Sequence, residues 1–457
     1  MAESEQTETR TRPRRGEEFE LEVETLVYGG RGLGRRNGFV VFVDGGLPGD
    51  RVLARISKSK KGYAEASTVE LIERSSGRLP DEDIHDGEPC PGAPWQALPY
   101  ERQLAFKAEQ IADALSRIGR LEGFDLEPIT PAEALWRYRN KVEYSFGEEG
   151  EETVLGFRPR GRWDEVLEIE DCLLSPAATN RARNELLDWA RKEGIPPFDP
   201  RTGEGVLRNL VVRESFGTGQ VQTRLVTSPA RISKPPVDLH TVVEGPGGGT
   251  NGPTGVIGDE FLIERVAGLE IRLSHESFFQ TNTAMAEVLY GTVREFLGDA
   301  GGVRLFDLFC GAGTIGLLLA DLFDEVVGLE IVPDAVANAE WNARANGIRN
   351  ARFVEADTRT GLRPLIAELG KPDVVVVDPP RAGLSAKVTR RLIECEAERI
   401  VYVSCNPTTL APNAAQLVEA GYRLVRVRPV DMFPQTPHIE CVALFVRDEA
   451  AGTGDGA

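Results

Sequence analysis

The chain has 457 residues, 41% apolar and 27% charged, with a formal net charge of −19. That length holds two or three domains, and the composition is ordinary for a globular protein. No apolar run approaches the ~20 residues that span a bilayer, and no apolar segment follows the N-terminal charges, so neither a membrane anchor nor a secretory signal is expected. Six cysteines in so long a chain are too sparse for a disulfide scaffold and fit a reducing cytoplasm.

The acidic sum argues against a nucleic-acid partner, but its distribution is uneven. Between Tyr28 and Tyr63 stand eight bases (Arg31, Arg35, Arg36, Arg51, Arg55, Lys58, Lys60, Lys61) and two acids (Asp44, Asp50), a local net of +6. A basic patch on an acidic body is compatible with RNA binding; a solvated basic face is the alternative.

In chain order, residues 1–16 lack apolar residues beyond the start and are expected to be disordered. Alternation from Glu17 (Phe19, Leu21, Val23) predicts a half-exposed strand. Gly29–Gly34 reads as a loop, Gly38–Val43, Asp50–Ile56 and Tyr63–Ile72 as strands, and the set as a small β-barrel over 17–73. This stretch resembles a TRAM domain, an RNA-binding barrel. An amphipathic helix follows, to about Ile118. Residues 74–270 read as a central β-rich domain, with strands at Lys141–Phe146 and Val154–Arg158, a helix near Ala177–Glu193 and a hairpin over Leu207–Val226. Pro235-Pro236 and Gly245–Gly252 read as loops.

From about residue 271 strands and helices alternate, which predicts a mostly parallel sheet. Its strands are the run at Leu305–Leu308, Val326–Glu330, Ala351–Ala356, Asp373–Asp378, Arg399–Ser404, Tyr422–Val427 and His438–Arg447, the last two an antiparallel pair. Residues 448–457 read as a second disordered tail. The expected fold class is therefore α/β: a Rossmann-like catalytic domain at 271–447 behind an OB-like barrel and a central β-rich domain.

The first strand of that sheet breaks into Gly311-Ala-Gly313 and restarts as an apolar run from Thr314. A strand, glycine turn and helix let the backbone approach a ligand closely. Nineteen residues beyond Gly311, Glu330 ends the next strand, where an acid accepts hydrogen bonds from ribose hydroxyls. Gly311-x-Gly313-x-x-Gly316 also satisfies the dinucleotide fingerprint, so a nicotinamide site is the bland alternative. Against it, Asp307-Leu-Phe-Cys-Gly-Ala-Gly313 resembles motif I of S-adenosylmethionine-dependent methyltransferases. Asp378-Pro-Pro-Arg381 and Ser404-Cys-Asn-Pro407 each end a strand, where open α/β sheets bind ligands.

Free cysteines are usually small buried hydrophobes, the reading for Cys310, Cys395 and Cys441. Cys405 differs, because it follows a strand at the cofactor cleft, where a thiolate is useful. Carbon 5 of a pyrimidine is too weak a nucleophile to attack a sulfonium methyl until a thiolate adds at carbon 6. The extra proton on carbon 5 must later be removed by a base. Glu440, at the opening of the last strand, is the candidate base.

Together Ser277-Phe-Phe-Gln-Thr-Asn282, Asp307–Gly313, Asp378-Pro-Pro-Arg-Ala-Gly383, Tyr402-Val-Ser-Cys-Asn-Pro-Thr408 and Pro437-His-Ile-Glu-Cys-Val442 resemble the RNA uracil-carbon-5 methyltransferase family. The resemblance implies Cys405 as nucleophile and Glu440 as general base. It implies S-adenosyl-L-methionine as cofactor, contacted by Gln280, Phe309, Gly311, Gly313, Glu330, Asp357 and Asp378. It also implies an enzyme acting on RNA, with ribosomal RNA favoured over transfer RNA; a cytoplasmic location is expected from the sparse cysteines, and a monomer is expected. Some members hold an iron–sulfur cluster on four cysteines. Here Cys90 and Cys172 occupy two of those places and Ala93 a third, so neither a cluster nor another metal is expected. Thr314 stands where many relatives carry Asn. Arg381 replaces the aromatic residue that follows Asp/Asn-Pro-Pro in amino-group methylases. The competing readings are an RNA cytosine-carbon-5 methyltransferase and a non-catalytic RNA-binding protein on the same fold.

Overall fold

Alternating apolar residues close the N-terminal barrel. The computed structural model describes residues 12–159, 161–235, 239–244 and 250–448. Its first sheet has six strands, in the order Glu18–Glu22, Arg51–Ser59, Tyr63–Glu73, Phe39–Asp44, Arg31–Arg36, Thr25–Val27. Leu21, Val41, Val43, Val52, Ala54, Ile56 and Ala64 fill its interior, every second residue pointing inward.

Two expectations are corrected here. Arg31–Arg36 is a strand, although its glycines suggested a loop. A Cβ on Gly34 would stand 2.2 Å from the Glu22 carbonyl oxygen, and one on Gly32 2.8 Å from Val23, so these glycines let strands pack closely. The turn itself is Tyr28–Gly30, with Gly29 at φ +85° and Gly30 at +79°. Arg12–Gly16, expected in a disordered tail, is tied to the barrel: Arg12 Nε donates to Ser59 Oγ (2.9 Å) and Gly16 N to the Ile56 carbonyl (2.8 Å). Such pairing needs no apolar side chain. The rest of the N-terminal tail (1–11) and residues 449–457 of the C-terminal one lie outside the described residues.

The basic patch is also revised. Arg35, Arg36, Arg51, Arg55 and Lys58 form ion pairs with Glu24, Glu17, Glu20, Glu18 and Glu65. These acids lie just outside the 28–63 window but on or next to neighbouring strands. Over 17–73 the barrel carries eight bases and ten acids, a net of −2.

The second sheet has seven strands, in the order Leu167–Glu168, Glu152–Phe157, Lys141–Glu149, Leu207–Glu214, Val221–Thr227, Leu239–Glu244, Thr250–Ile257. Helix Ala177–Lys192 packs its Leu186 and Ala190 against Tyr144, Phe146, Leu210 and Val212 on one face. The last strand starts inside the stretch expected to be loop. It is an edge strand, the position in a sheet that tolerates proline, and its register shifts near Pro253. Pro236 and residues 245–249 of the expected loops lie outside the described residues.

The third sheet carries the candidate site. Its strands are β1 (Gly302–Leu308), β2 (Phe323–Glu330), β3 (Ala351–Glu355), β4 (Val374–Val377), β5 (Arg399–Ser404), β6 (Tyr422–Val430) and β7 (Glu440–Arg447), in the spatial order 3-2-1-4-5-7-6. β7 is antiparallel to both β5 and β6, and β1 to β5 are parallel. The four valines of β4 are buried, as a central parallel strand covered on both faces requires. Two contributions come from outside 271–447. Asp125–Leu126 adds a parallel edge strand to β6. Helix Tyr100–Asp113 and the π-helical turn Ala114–Ile118 bury Ile111, Ala114 and Leu115 in the sheet's core.

Candidate active site

The turn leaving β1 is built on left-handed backbone at Phe309 (φ 62°), Gly311 (54°) and Gly313 (80°), a conformation that glycine adopts freely and phenylalanine at a cost of roughly 1–3 kcal/mol. A Cβ on Gly313 would collide with Phe353 at 2.7 Å, whereas one on Gly311 would meet nothing within 4 Å and project into open space. Gly311 therefore leaves room that a side chain would fill. The helix after the turn is short, Thr314–Leu318, and continues as a 3-10 turn over Ala320–Leu322.

Glu330 ends β2 beside this turn. Its carboxylate accepts from Gly311 N (3.1 Å), Ile331 N (2.7 Å) and Val332 N (3.0 Å). Asp307 accepts from Gly316 N at 2.9 Å through one oxygen, and its other oxygen is buried with no partner among the described residues. Burial, opposed by the Gly316 N–H and aided by Asp378 and Glu330, lifts Asp307 to about 7. Burial likewise lifts Asp378, just past β4, to about 7.

Gln280 is buried in the segment between the hairpin Leu262–Leu273 and helix Thr283–Leu297. The central sheet holds it there, since Asn140 Nδ2 donates to the Gln280 carbonyl at 3.0 Å and to Thr283 Oγ1 at 2.9 Å. Asp357 caps helix Thr358–Leu369 by accepting from Arg359 N at 2.8 Å, and the Arg359 guanidinium closes on the same carboxylate.

Cys405 and Glu440 come from antiparallel neighbours. The β5–β7 ladder ends with Ser404 opposite Cys441, so the next step in register sets Cys405 against Glu440. Cys405 is half-buried. Burial, then the charges of Glu440 and Asp378, push its thiol up to about 12, against the opposing pull of Arg381. Burial and Asp378 hold the Glu440 carboxyl well above its ordinary range, and its Oε2 has no partner among the described residues. A carboxyl so placed is a stronger base than one in water.

The segment leading to Glu440 is pinned from elements the sequence did not connect to it. Lys107, itself buried, donates to Asp431 at 2.6 Å and to the Phe433 carbonyl at 2.9 Å. Tyr100 donates to Asp431 (2.8 Å), Tyr138 to the Pro434 carbonyl (2.9 Å), and Trp95 N to the Gln435 carbonyl (2.9 Å). The barrel reaches the same place. Tyr28 packs beside the catalytic core, and the Arg381 guanidinium stands 5.9 Å from its ring centroid. Burial raises the Tyr28 hydroxyl against the pull of Arg381, and Cys405 and Glu440 are near enough to add to the rise. Gly30 abuts Pro437, where a Cβ would come within 2.7 Å. Separation in sequence hid all of these contacts.

Cys90 and Cys172 lie together with Asp83, one ligand atom of each within 4.8 Å of the others, and His85 Nε2 stands 3.0 Å from Asp83. This donor set has two sulfurs, and buried Ala93 occupies the third cysteine's place. It does not match the four thiolates of an iron–sulfur cluster.

Strand order 3-2-1-4-5-7-6 with a glycine turn after β1 and an acid after β2 defines a Rossmann-like methyltransferase. Residues 259–448 match the tRNA (Uracil-5-)-methyltransferase family and residues 12–69 the TRAM domain. An RNA methyltransferase of Caldanaerobacter subterraneus subsp. tengcongensis is 36% identical over 94% of this chain and 99% of its own length. One from Chlorobaculum tepidum is also 36% identical, over 96% and 98%. Among solved structures, the Pyrococcus abyssi tRNA (uracil-54, C5)-methyltransferase in complex with S-adenosyl-L-homocysteine superposes with a TM-score of 0.77 at 28% identity, covering 94% of this chain and all of that one. The chain belongs to the RNA uracil-5-methyltransferase family and is an enzyme of that class. No helix among the described residues is long and apolar enough to cross a membrane.

Proposed function

We propose that the protein methylates carbon 5 of a uridine in RNA, with Cys405 as nucleophile and Glu440 as general base. The observation that carries the reading is the register that sets a thiol and a buried carboxyl against each other at the carboxyl end of β5. S-adenosyl-L-methionine, when bound, supplies an electrophilic methyl group. Gln280, Phe309, Gly311, Gly313, Glu330, Asp357 and Asp378 hold it, with the open space over Gly311 and the Glu330 carboxylate as the features that suit it.

The Cys405 thiol gives up its proton to solvent, the thiolate sulfur bonds to uracil carbon 6, and the electrons of the ring's 5,6 double bond move toward carbon 5, which becomes able to take the methyl group. Carbon 5 then carries both methyl and proton. Glu440 accepts that proton, its electrons re-form the ring double bond, and the carbon–sulfur bond breaks with its electron pair returning to Cys405. Incubation with unmodified RNA and labelled S-adenosylmethionine, followed by nucleoside mass spectrometry, should give 5-methyluridine. Methylated cytidine or no methylated nucleoside would overturn the assignment.

The narrower proposal is ribosomal RNA, supported by the N-terminal TRAM barrel. Transfer RNA is the second reading, favoured by the Pyrococcus protein, whose likeness spans nearly the whole chain. Mapping the modified uridine in a strain lacking the gene separates the two. In the same reading the enzyme is a cytoplasmic monomer divided into a barrel (17–73), a central RNA-binding domain (74–270) and a catalytic domain (271–447).

A further inference from the structure

The segment that carries Glu440 has a second face. Thr436, Pro437 and His438 line a cavity of about 320 Å3 together with Arg139, Glu143 and Phe157 of the central region. That volume lies within the ~300–1,000 Å3 range of small-ligand sites. Its lining suits a flat, partly polar guest. Phe157 is held stacked on Tyr144, with centroids 5.3 Å apart and planes at 9°, and Pro437 offers an apolar surface. The exposed His438 ring stands edge-on to Phe433, 5.6 Å away. Partial burial, then the cations Arg381, Arg139 and Lys107, lower it below its ordinary value. At neutral pH it therefore offers one donor and one acceptor and no charge.

The charge beside the cavity suits an anion. Arg139 Nε donates to the Lys141 carbonyl at 3.1 Å, and its terminal nitrogens make no hydrogen bond among the described residues. Lys141 stands opposite Arg213 in the ladder, and Arg224 follows on the next strand, on the same face. Lys141 has no ion-pair partner within 4 Å among the described residues, and burial together with Arg213 lowers it to about 8. Arg224 pairs with Glu276 at 3.1 Å and Arg213 donates to the Ser274 and Ser277 carbonyls, so Arg139 and Lys141 are the members of this group without a carboxylate partner among the described residues.

We propose that the cavity receives the nucleotide adjoining the target uridine, its base against Phe157 and Pro437 and its phosphate toward Arg139 and Lys141. The inference rests on the reading of Cys405 and Glu440 as an RNA methylation centre, since the cavity shares the Pro437–His438 wall two residues before Glu440. The target base occupies the thiol's side of that wall, and its neighbour the side of the central sheet.

The test uses the full-length enzyme, fragmented total RNA from a strain lacking the gene, and sequencing of the bases flanking each 5-methyluridine formed. Wild type should enrich one base beside the modified uridine. Phe157→Leu, which keeps the apolar packing and removes the aromatic face, should lose that enrichment. Its KM for RNA should rise roughly 5- to 150-fold, the worth of one base stacked on an aromatic ring, with kcat little changed. Arg139→Ala, on a half-buried and structurally undemanding side chain, should lower the salt slope of RNA binding by about 1. Unchanged flanking preference, KM and salt slope in both variants would overturn the pocket while leaving the methylation reading standing. Failure of wild type to form 5-methyluridine would remove that reading and the pocket with it.

Discussion

Cys405 and Glu440 are one ladder step beyond the last paired residues of β5 and β7, Ser404 and Cys441. Because β7 runs antiparallel to β5, the thiol that leaves one strand meets the carboxyl that opens the other. A parallel strand at this place would have put Glu440 at the opposite end of the sheet. The antiparallel insertion of β7 is thus what brings a thiol and a carboxyl together at one end of the sheet.

The two residues separate by the step each controls. Cys405→Ala should abolish methyl transfer while RNA and cofactor binding stay within about threefold, a difference under ~1 kcal/mol. Glu440→Gln should permit addition and methyl transfer and then stall. The expected product is a covalent protein–RNA adduct carrying the methyl group, stable to denaturing electrophoresis and absent from the double variant. A Glu440→Gln enzyme with normal turnover, or with neither adduct nor methyl transfer, removes Glu440 from this role.

Arg381 pulls the Cys405 thiol down, against burial and the charges of Glu440 and Asp378, and the balance leaves it at about 12. Its loss should raise the thiol further. At any pH below that value the thiolate fraction, and with it the single-turnover rate of adduct formation, should fall. The rise of that rate with pH should move to higher pH in Arg381→Ala. A profile that moves to lower pH, or does not move, contradicts the electrostatic role.

Much of this was legible from local pattern. β1 and its glycine turn, the Cys405 strand end and the valine run of β4 show in the sequence because each depends on neighbours a few residues away. What was hidden depends on partners far along the chain. Lys107 and Asp431 are 324 residues apart, and no spacing rule joins Tyr28 to Arg381. The charge of the barrel misled for the same reason: a window along the sequence counts Arg35 and Arg55 and omits Glu24 and Glu18, which face them across the sheet. The placement of Gln280 was hidden for the same reason, since Asn140, which holds its carbonyl, lies 140 residues away.

Glu330 presents its carboxylate to three backbone N–H groups at the cofactor turn. Glu330→Ala should weaken S-adenosylmethionine by about 1.5–3 kcal/mol, the worth of hydrogen bonds to a charged group. Calorimetry that finds unchanged affinity would move the ribose contact elsewhere.

Protein purified without oxygen should be colourless, with neither iron nor sulfide in stoichiometric amount, because Cys90 and Cys172 supply two of four sulfurs. Elemental analysis checks this directly, and an iron–sulfur absorption band would show a ligand set other than the one described.

The two glycines of the Tyr28–Gly30 turn allow the barrel's grip on the catalytic segment to be isolated. Both have left-handed backbone, Gly29 at φ +85° and Gly30 at +79°, so Ala at either position should cost about 1–2 kcal/mol of stability from backbone strain alone. They differ in what a Cβ meets. At Gly29 nothing lies within 4 Å, whereas at Gly30 the new atom falls 2.7 Å from Pro437. Proline is stiff, so the clash must displace either the turn or the segment that leads to Glu440. Gly29→Ala should therefore lower the melting temperature with little effect on kcat. Gly30→Ala should show a similar thermal loss and, in addition, slower release of the adduct, the step proposed for Glu440. Equal kinetics in the two variants, at temperatures where both are folded, would mean that the contact between Gly30 and Pro437 has no part in setting the base.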